Sequence, residues 1–253
     1  MPIVGISGKI NLFSSLLRPV FPHLPETPED NPSEIQEAAF MNIAIFGATG
    51  GTGRLLTSHS LDAGHTVTAL VRNPAAFPFR DRVRIVQGSA FDPAAVASTV
   101  EGADAVFSAL GAHSPFRNEN VLPRAVPLIV QAMQQAGVQR IIALGSAGAL
   151  PAALAKQPAW RRWFVQKVVY RYLLKWPVHE QIEQYRILSS SPLDWTMVLP
   201  PVLTNGAERS RYRVDGEALP PGGNSISRAD VARFMFRQLE DPQWHRRGVY
   251  VTN

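Results

Sequence analysis

Seven residues, Gly47-Ala48-Thr49-Gly50-Gly51-Thr52-Gly53, carry the strongest chemical signal in the chain. They follow a short apolar run and precede a helical pattern, with glycine at 47, 50 and 53. In such a turn Gly47 allows the tight bend. Gly50 lets a pyrophosphate approach the backbone, and Gly53 lets the helix pack closely on the strand. Free N–H groups and the dipole at the helix start hold the phosphate charge, with Thr49, Gly51 and Thr52 completing the loop. The bland alternative is a glycine-rich turn with no ligand. Arg72 closes the next apolar run. An acidic residue there selects NAD by binding the ribose 2′-hydroxyl, whereas arginine accommodates the 2′-phosphate, so Arg72 points to NADP(H). Arg72 could also be an ordinary surface arginine. Arg54 is a possible helper beside the loop.

Two further segments converge on the same crevice, because ligands in open parallel sheets bind beyond the carboxyl ends of the strands. Leu110-Gly111-Ala112-His113 follows one apolar run and Gly145-Ser146-Ala147-Gly148 another. Ser146 is placed to hydrogen-bond a carboxamide or a substrate carbonyl, or is simply a turn serine. His113 could protonate a substrate, or stand solvated in its loop. His179, near Glu180 and Glu183, lacks the ligand spacing of a metal site, and no metal is expected.

The elements that must position these residues alternate. Strands are expected at residues 42–46, 65–71, 83–87, 103–110 and 140–144, with helices at 53–63, 93–100 and 118–136 between them. Continuous apolar strands alternating with helices mark a parallel sheet covered on both faces, an α/β doubly wound (Rossmann) fold. Residues 160–176 read as one helical stretch and residues 179–189 as a second helix. Residues 194–199 form a sixth strand closed by Pro200-Pro201. Residues 204–225 read as loop and hairpin, with Asp215-Gly216 as a hairpin turn. Ser227 caps a helix to Leu239 with Asp230 at its third position, and residues 248–252 form a last strand. This C-terminal half reads as a small substrate-side region built onto the sheet. Residues 1–40, rich in proline, read as a flexible extension preceding a 41–253 body. Met41 stands directly before the first strand, and an internal start there is a second option.

Composition sets the frame. The 253 residues are 45% hydrophobic and 18% charged, which is globular rather than disordered. No apolar run approaches the ~18–20 residues of a membrane-spanning helix. The absence of cysteine excludes disulfides, thiolate catalysis and cysteine metal sites, and fits a reducing, cytoplasmic compartment. The net charge of +5 comes mostly from arginine, since only Lys9, Lys156, Lys167 and Lys175 are lysines among the 25 basic residues. Such a balance suits an anionic small molecule, and no nucleic-acid partner is expected.

The segments around Gly47–Gly53, Leu70-Val71-Arg72, Gly145-Ser146-Ala147 and residues 193–201 resemble the atypical short-chain dehydrogenase/reductases. The nearest likeness is to the NAD(P)H-binding proteins grouped as NmrA-like and biliverdin reductase B–flavin reductase-like. Residues 227–232 resemble the same group's later helix start, and the resemblance spans residues 41–253. It implies an NADPH-bound Rossmann domain in which Ser146 sits by the nicotinamide and assists hydride geometry. Pro200, Leu110 and Gly111 would line the same pocket. Two features depart from the flavin reductase: Gly88-Ser89 replaces an acidic residue after the third strand, and Phe77 or Phe79 stands near where a second basic residue belongs. The tyrosine–lysine proton donor of the wider superfamily is missing, because Tyr170, Tyr172 and Tyr185 have Leu174, Trp176 and Ser189 four residues on.

The resemblance implies an NADPH-dependent reductase passing hydride to a flavin-like, biliverdin-like or small carbonyl or quinone acceptor. The alternative is a non-catalytic NADP(H)-binding redox sensor of NmrA-like type that reads the cofactor and binds a protein partner. Residues 160–176 place apolar and basic side chains on separate faces. They could cap the substrate pocket, meet a partner chain, lie on an anionic membrane surface, or pack on their own domain with a solvated basic face. Integral membrane insertion is not expected, and oligomeric state is left open.

Overall fold

The computed structural model describes residues 40–112, 119–173 and 175–253. The apolar runs form the expected parallel strands: β1 (Asn42–Phe46), β2 (Thr66–Val71), β3 (Arg84–Gln87), β4 (Ala105–Ser108), β5 (Arg140–Leu144) and β6 (Asp194–Leu199). Between and after them lie α1 (Gly51–Asp62), α2 (Pro93–Val100), α3 (Val121–Ala136), α4 (Ala159–Phe164) and α5 (Lys175–Ser190). The chain continues through β7 (Val202–Thr204), β8 (Arg213–Asp215), β9 (Ser225–Ser227), α6 (Arg228–Arg237) and β10 (Arg247–Thr252). The main sheet runs β3-β2-β1-β4-β5-β6-β10-β8. Strand order reverses beside β1, which places a crevice between the carboxyl ends of β1 and β4.

Alternation along β1 explains why its residues are all apolar. Ile43 and Ile45 face one side with Leu56 of α1 and Val231 and Met235 of α6. Ala44 and Phe46 face the other with Val96 of α2 and Leu122, Ile129 and Met133 of α3. A strand buried on both faces has no solvent side on which to alternate polar residues. The fold is therefore an α/β doubly wound Rossmann sheet with helices on both faces.

The C-terminal half differs from expectation in its pairing. Residues 204–225 form no hairpin. β7 pairs parallel with β9, while β8 between them joins the main sheet antiparallel to β10. Asp215 still makes a turn, its carboxylate accepting from the N–H groups of Glu217 at 2.8 Å and Ala218 at 3.1 Å. Strands of three residues are too short for periodicity to reveal their partners.

The stretch expected as one helix at residues 160–176 is also divided. α4 ends at Phe164 and a π-helix runs over Val165–Leu173. Trp176 belongs to α5, which begins at Lys175 rather than at His179. α1 opens at Gly51, two residues before the expected start. α3 opens at Val121 after Asn120, whose φ of 49° lies in the left-handed region.

Ser227 caps α6 as its sequence indicates. Its hydroxyl accepts from the Asp230 N–H at 2.9 Å and donates to the Asp230 carboxylate at 2.6 Å. The other carboxylate oxygen of this buried aspartate accepts from the N–H groups of Arg209 and Ser210, both at 2.8 Å. Burial pushes the Asp230 carboxyl up. The hydrogen bonds from Ser227, Arg209 and Ser210, with the nearby Arg209 charge, outweigh that and hold it below the ordinary aspartate range.

Candidate cofactor and acceptor cleft

A cleft of about 790 Å³ lies over the carboxyl ends of the parallel strands. Its floor is the turn between β1 and α1, where Gly47, Thr49, Gly50, Gly51 and Thr52 all line it. The geometry explains the glycines. Gly47 has a φ of +78°, and a Cβ there would stand 2.6 Å from the Ala109 carbonyl oxygen. A Cβ on Gly53 would stand 2.1 Å from the Gly47 carbonyl oxygen, so Gly53 does not line the cleft but lets α1 rest against the turn. Gly50 closes the turn by donating to the Gly47 carbonyl at 3.0 Å. The start of α1 carries no side-chain cap and no acidic residue in its first turn. An uncapped helix N-terminus beside an open backbone has the chemistry of an anion site.

One wall belongs to the ends of β2 and β3. Arg72 lines it, with Leu70, Gly88, Ser89, Ala90 and Phe91. No acidic side chain stands at the end of β2. Phe91 presents its ring here, backed by the Arg124 guanidinium 4.1 Å from the ring centroid.

A second arginine comes from far along the chain. Arg228, the first residue of α6, lines the cleft, and its Cδ lies 2.8 Å from where a Gly51 Cβ would stand. Its guanidinium donates to the Asn205 side-chain oxygen at 2.7 Å and makes no ion pair among the described residues. A cation beside a helix N-terminus meets like charge, an arrangement relieved when an anion lies between them. Asp230 fastens the 209–210 backbone in the same connection that carries Asn205. The sequence reveals Arg228 only as a residue after a helix cap; its role depends on packing against Gly51.

The opposite end is built from Ala109, Leu110, Gly111 and Ala112 after β4, Leu144 and Gly145 at the end of β5, and Pro177, Glu180 and Gln181 of α5. Ser146 and Pro200 are not among the lining residues. Ser146 is half-buried one residue past Gly145, and among the described residues its hydroxyl has no partner. Its backbone is tied on both sides: Gly145 donates to the Val198 carbonyl at 2.7 Å and Ala147 to the Pro200 carbonyl at 2.9 Å. His113 lies outside the described residues.

Glu180 is the residue that sequence reasoning treated only as a poor metal ligand. It is 1% exposed. One carboxylate oxygen accepts from the Leu122 N–H at 3.1 Å, capping α3 from another helix, and the other oxygen has no hydrogen-bond partner among the described residues. A buried acceptor without a donor is costly, so it is a place where a ligand donor is stabilised. Neither tyrosine, lysine nor histidine lines the described cleft. Tyr185 packs edge-on against Trp195 at 5.5 Å in the core instead.

The comparisons agree with this architecture. Residues 47–242 match a family model described as NAD(P)H-binding. A curated relative from Arabidopsis thaliana, a probable pinoresinol-lariciresinol reductase, is 24% identical over 228 residues, covering 86% of this chain and 69% of its own. Among solved structures, a short-chain dehydrogenase/reductase from Veillonella parvula DSM 2008 in complex with NADP is 23% identical with a TM-score of 0.70. It covers 85% of this chain and 95% of that one. ChuY, an anaerobillin reductase from Escherichia coli O157:H7, is 21% identical with a TM-score of 0.69, covering 83% of this chain and 96% of its own. At those identities the two structures show a shared fold.

Proposed function

The chain belongs to the NAD(P)H-binding family, and from that membership we propose that it is an NADPH-dependent reductase acting on a small conjugated acceptor, flavin-like or biliverdin-like, or on a small carbonyl or quinone. The observation that carries the cofactor preference is Arg72, in place of a carboxylate, on the cleft wall at the end of β2. When bound, the cofactor supplies the hydride. The residues of the chain do the rest. Gly47, Thr49, Gly50, Gly51 and Thr52 hold the pyrophosphate with backbone N–H groups, supported by Arg228. Arg72 holds the 2′-phosphate. Leu110 and Gly111 shape the nicotinamide end, and Pro200 acts from behind it, its carbonyl holding the Ala147 N–H next to Ser146.

Ser146, with its unpartnered hydroxyl on a backbone fastened between β5 and β6, orients the nicotinamide carboxamide or the acceptor carbonyl. The free oxygen of Glu180 accepts a hydrogen bond from the acceptor. With no tyrosine–lysine pair at the cleft, the reaction rests on proximity and orientation, and the proton is drawn from solvent. The named reductases among its relatives and structural neighbours support this reading.

The test is oxidation of NADPH by purified protein with FMN, biliverdin and a simple quinone as acceptors, for the wild type and Ser146→Ala. Turnover by the wild type that falls in the variant is the expected result. NADPH binding without turnover on any acceptor would move the protein to the redox-sensor reading.

A further inference from the structure

The clearest unexplained surface lies at α4, and it is built inside out. One polar side chain of the helix, Arg161, fastens it to the body. The Arg161 guanidinium donates to the Gln157 side-chain oxygen at 2.7 Å and to the Gly223 carbonyl at 3.1 Å, and it also reaches the Asn224 side-chain oxygen. Gln157 in turn donates to the Leu219 and Pro220 carbonyls at 2.8 and 3.0 Å. These contacts fix the rotation of the helix and leave its aromatic stripe outward. Trp160 is 72% exposed, Trp163 62% and Phe164 46%, at positions i, i+3 and i+4. None of the three makes a ring contact among the described residues, and none lines the cleft.

Charge identifies the occupant. Between Glu119 and Glu180 the sequence has no acidic residue at all. Arg162 and Lys167, both exposed beside the stripe, form no ion pair among the described residues. Tryptophan and phenylalanine flanked by arginine and lysine, on a helix that lies along the surface, is the composition that settles at the headgroup level of a bilayer. The rings enter the boundary with the acyl chains while the basic groups stay at the phosphates. A second copy of the same face would bring like charges together.

We propose that α4 and the start of the following π-helix form a peripheral docking surface for an anionic phospholipid membrane, with Trp160, Trp163 and Phe164 inserted and Arg162 and Lys167 on the headgroups. This does not rest on the reductase reading. No helix among the described residues is long and apolar enough to cross a membrane, so the contact is one of a surface.

The experiment is co-sedimentation of the full chain with vesicles of phosphatidylcholine alone and of phosphatidylcholine mixed with phosphatidylglycerol. It is done for the wild type, W160S/W163S and R162E/K167E, with NADPH titration as the check that each variant folds. The expected result is binding to the mixed vesicles only, weakened at least about tenfold in both variants while NADPH binding is unchanged. A blue shift of tryptophan fluorescence on the mixed vesicles, lost in W160S/W163S, would accompany it. Failure of the wild type to bind the mixed vesicles would overturn the proposal, as would equal binding by both variants. Self-association without lipid that W160S/W163S abolishes would overturn it in favour of a second copy as the occupant.

Discussion

The turn at residues 47–53 and the helix α4 are both short, and each is proposed to contact another molecule, yet they are built in opposite ways. The turn acts through its backbone. Its glycines remove side chains so that carbonyls at 2.1 and 2.6 Å from absent Cβ atoms can be tolerated and N–H groups stay free. α4 acts through side chains, and its backbone is ordinary. The first kind of site tolerates almost no substitution. In the second, Trp160, Trp163 and Phe164 tolerate nearly any substitution as far as folding goes, because they already face water.

Point variants put that contrast to the test. Gly53→Val should have the largest effect. Its side chain meets the Gly47 backbone, so α1 must move off the turn, at a cost of about 3 kcal/mol or more together with loss of NADPH binding. A thermal melt and a cofactor titration would show it, and a variant that melts and binds like the wild type would break the comparison. Arg72→Ala should weaken NADPH binding by about 2.7 kcal/mol, roughly a hundredfold, and leave NADH nearly untouched. Titration with the two cofactors distinguishes this from general damage.

Asp230→Ala should come next, at about 2 kcal/mol, because the variant loses the acceptor for the Arg209 and Ser210 N–H groups and for the Ser227 hydroxyl. The Asp230 carboxyl sits below its ordinary range when folded, so its contribution is fully present above the ordinary aspartate value. It is lost as pH falls through the lower folded value. The stability difference between wild type and variant should therefore be largest at neutral pH and narrow in strong acid. Ser146→Ala should lower turnover about tenfold, near 1.4 kcal/mol, without changing the melt. Trp163→Ser should be the mildest, within about 0.5 kcal/mol in stability and with turnover unchanged.

The same contrast explains what could be read from the residues alone. The glycine turn, the positions of the first six strands along the chain and the cap at Ser227 follow from local chemistry, and each is where its residue types place it. Glu180 could not be read in this way, since its capped partner Leu122 lies on another helix. The one available signal was that Glu180 ends a long stretch without acids. Arg228 was visible as a helix start but not as a neighbour of Gly51. In α4 the three- and four-residue spacing groups Trp160, Trp163 and Phe164, while the two arginines part, Arg161 turned to the body and Arg162 exposed. Spacing does not say which face is inward, and Arg161 settles that through the distant residues Gly223 and Asn224. β8 pairs with β10 rather than turning back on its neighbour for the same reason: a three-residue strand is placed by the sheet edge open to it, not by its own pattern.

The most direct test of the cofactor cleft and its proposed activity is steady-state oxidation of NADPH and of NADH by the wild-type chain, each with FMN, biliverdin and a simple quinone. The account predicts acceptor-dependent turnover with a higher kcat/KM for NADPH than for NADH. Turnover that favours NADH would contradict the role given to Arg72, and tight NADPH binding with no turnover on any of the three would contradict the reductase.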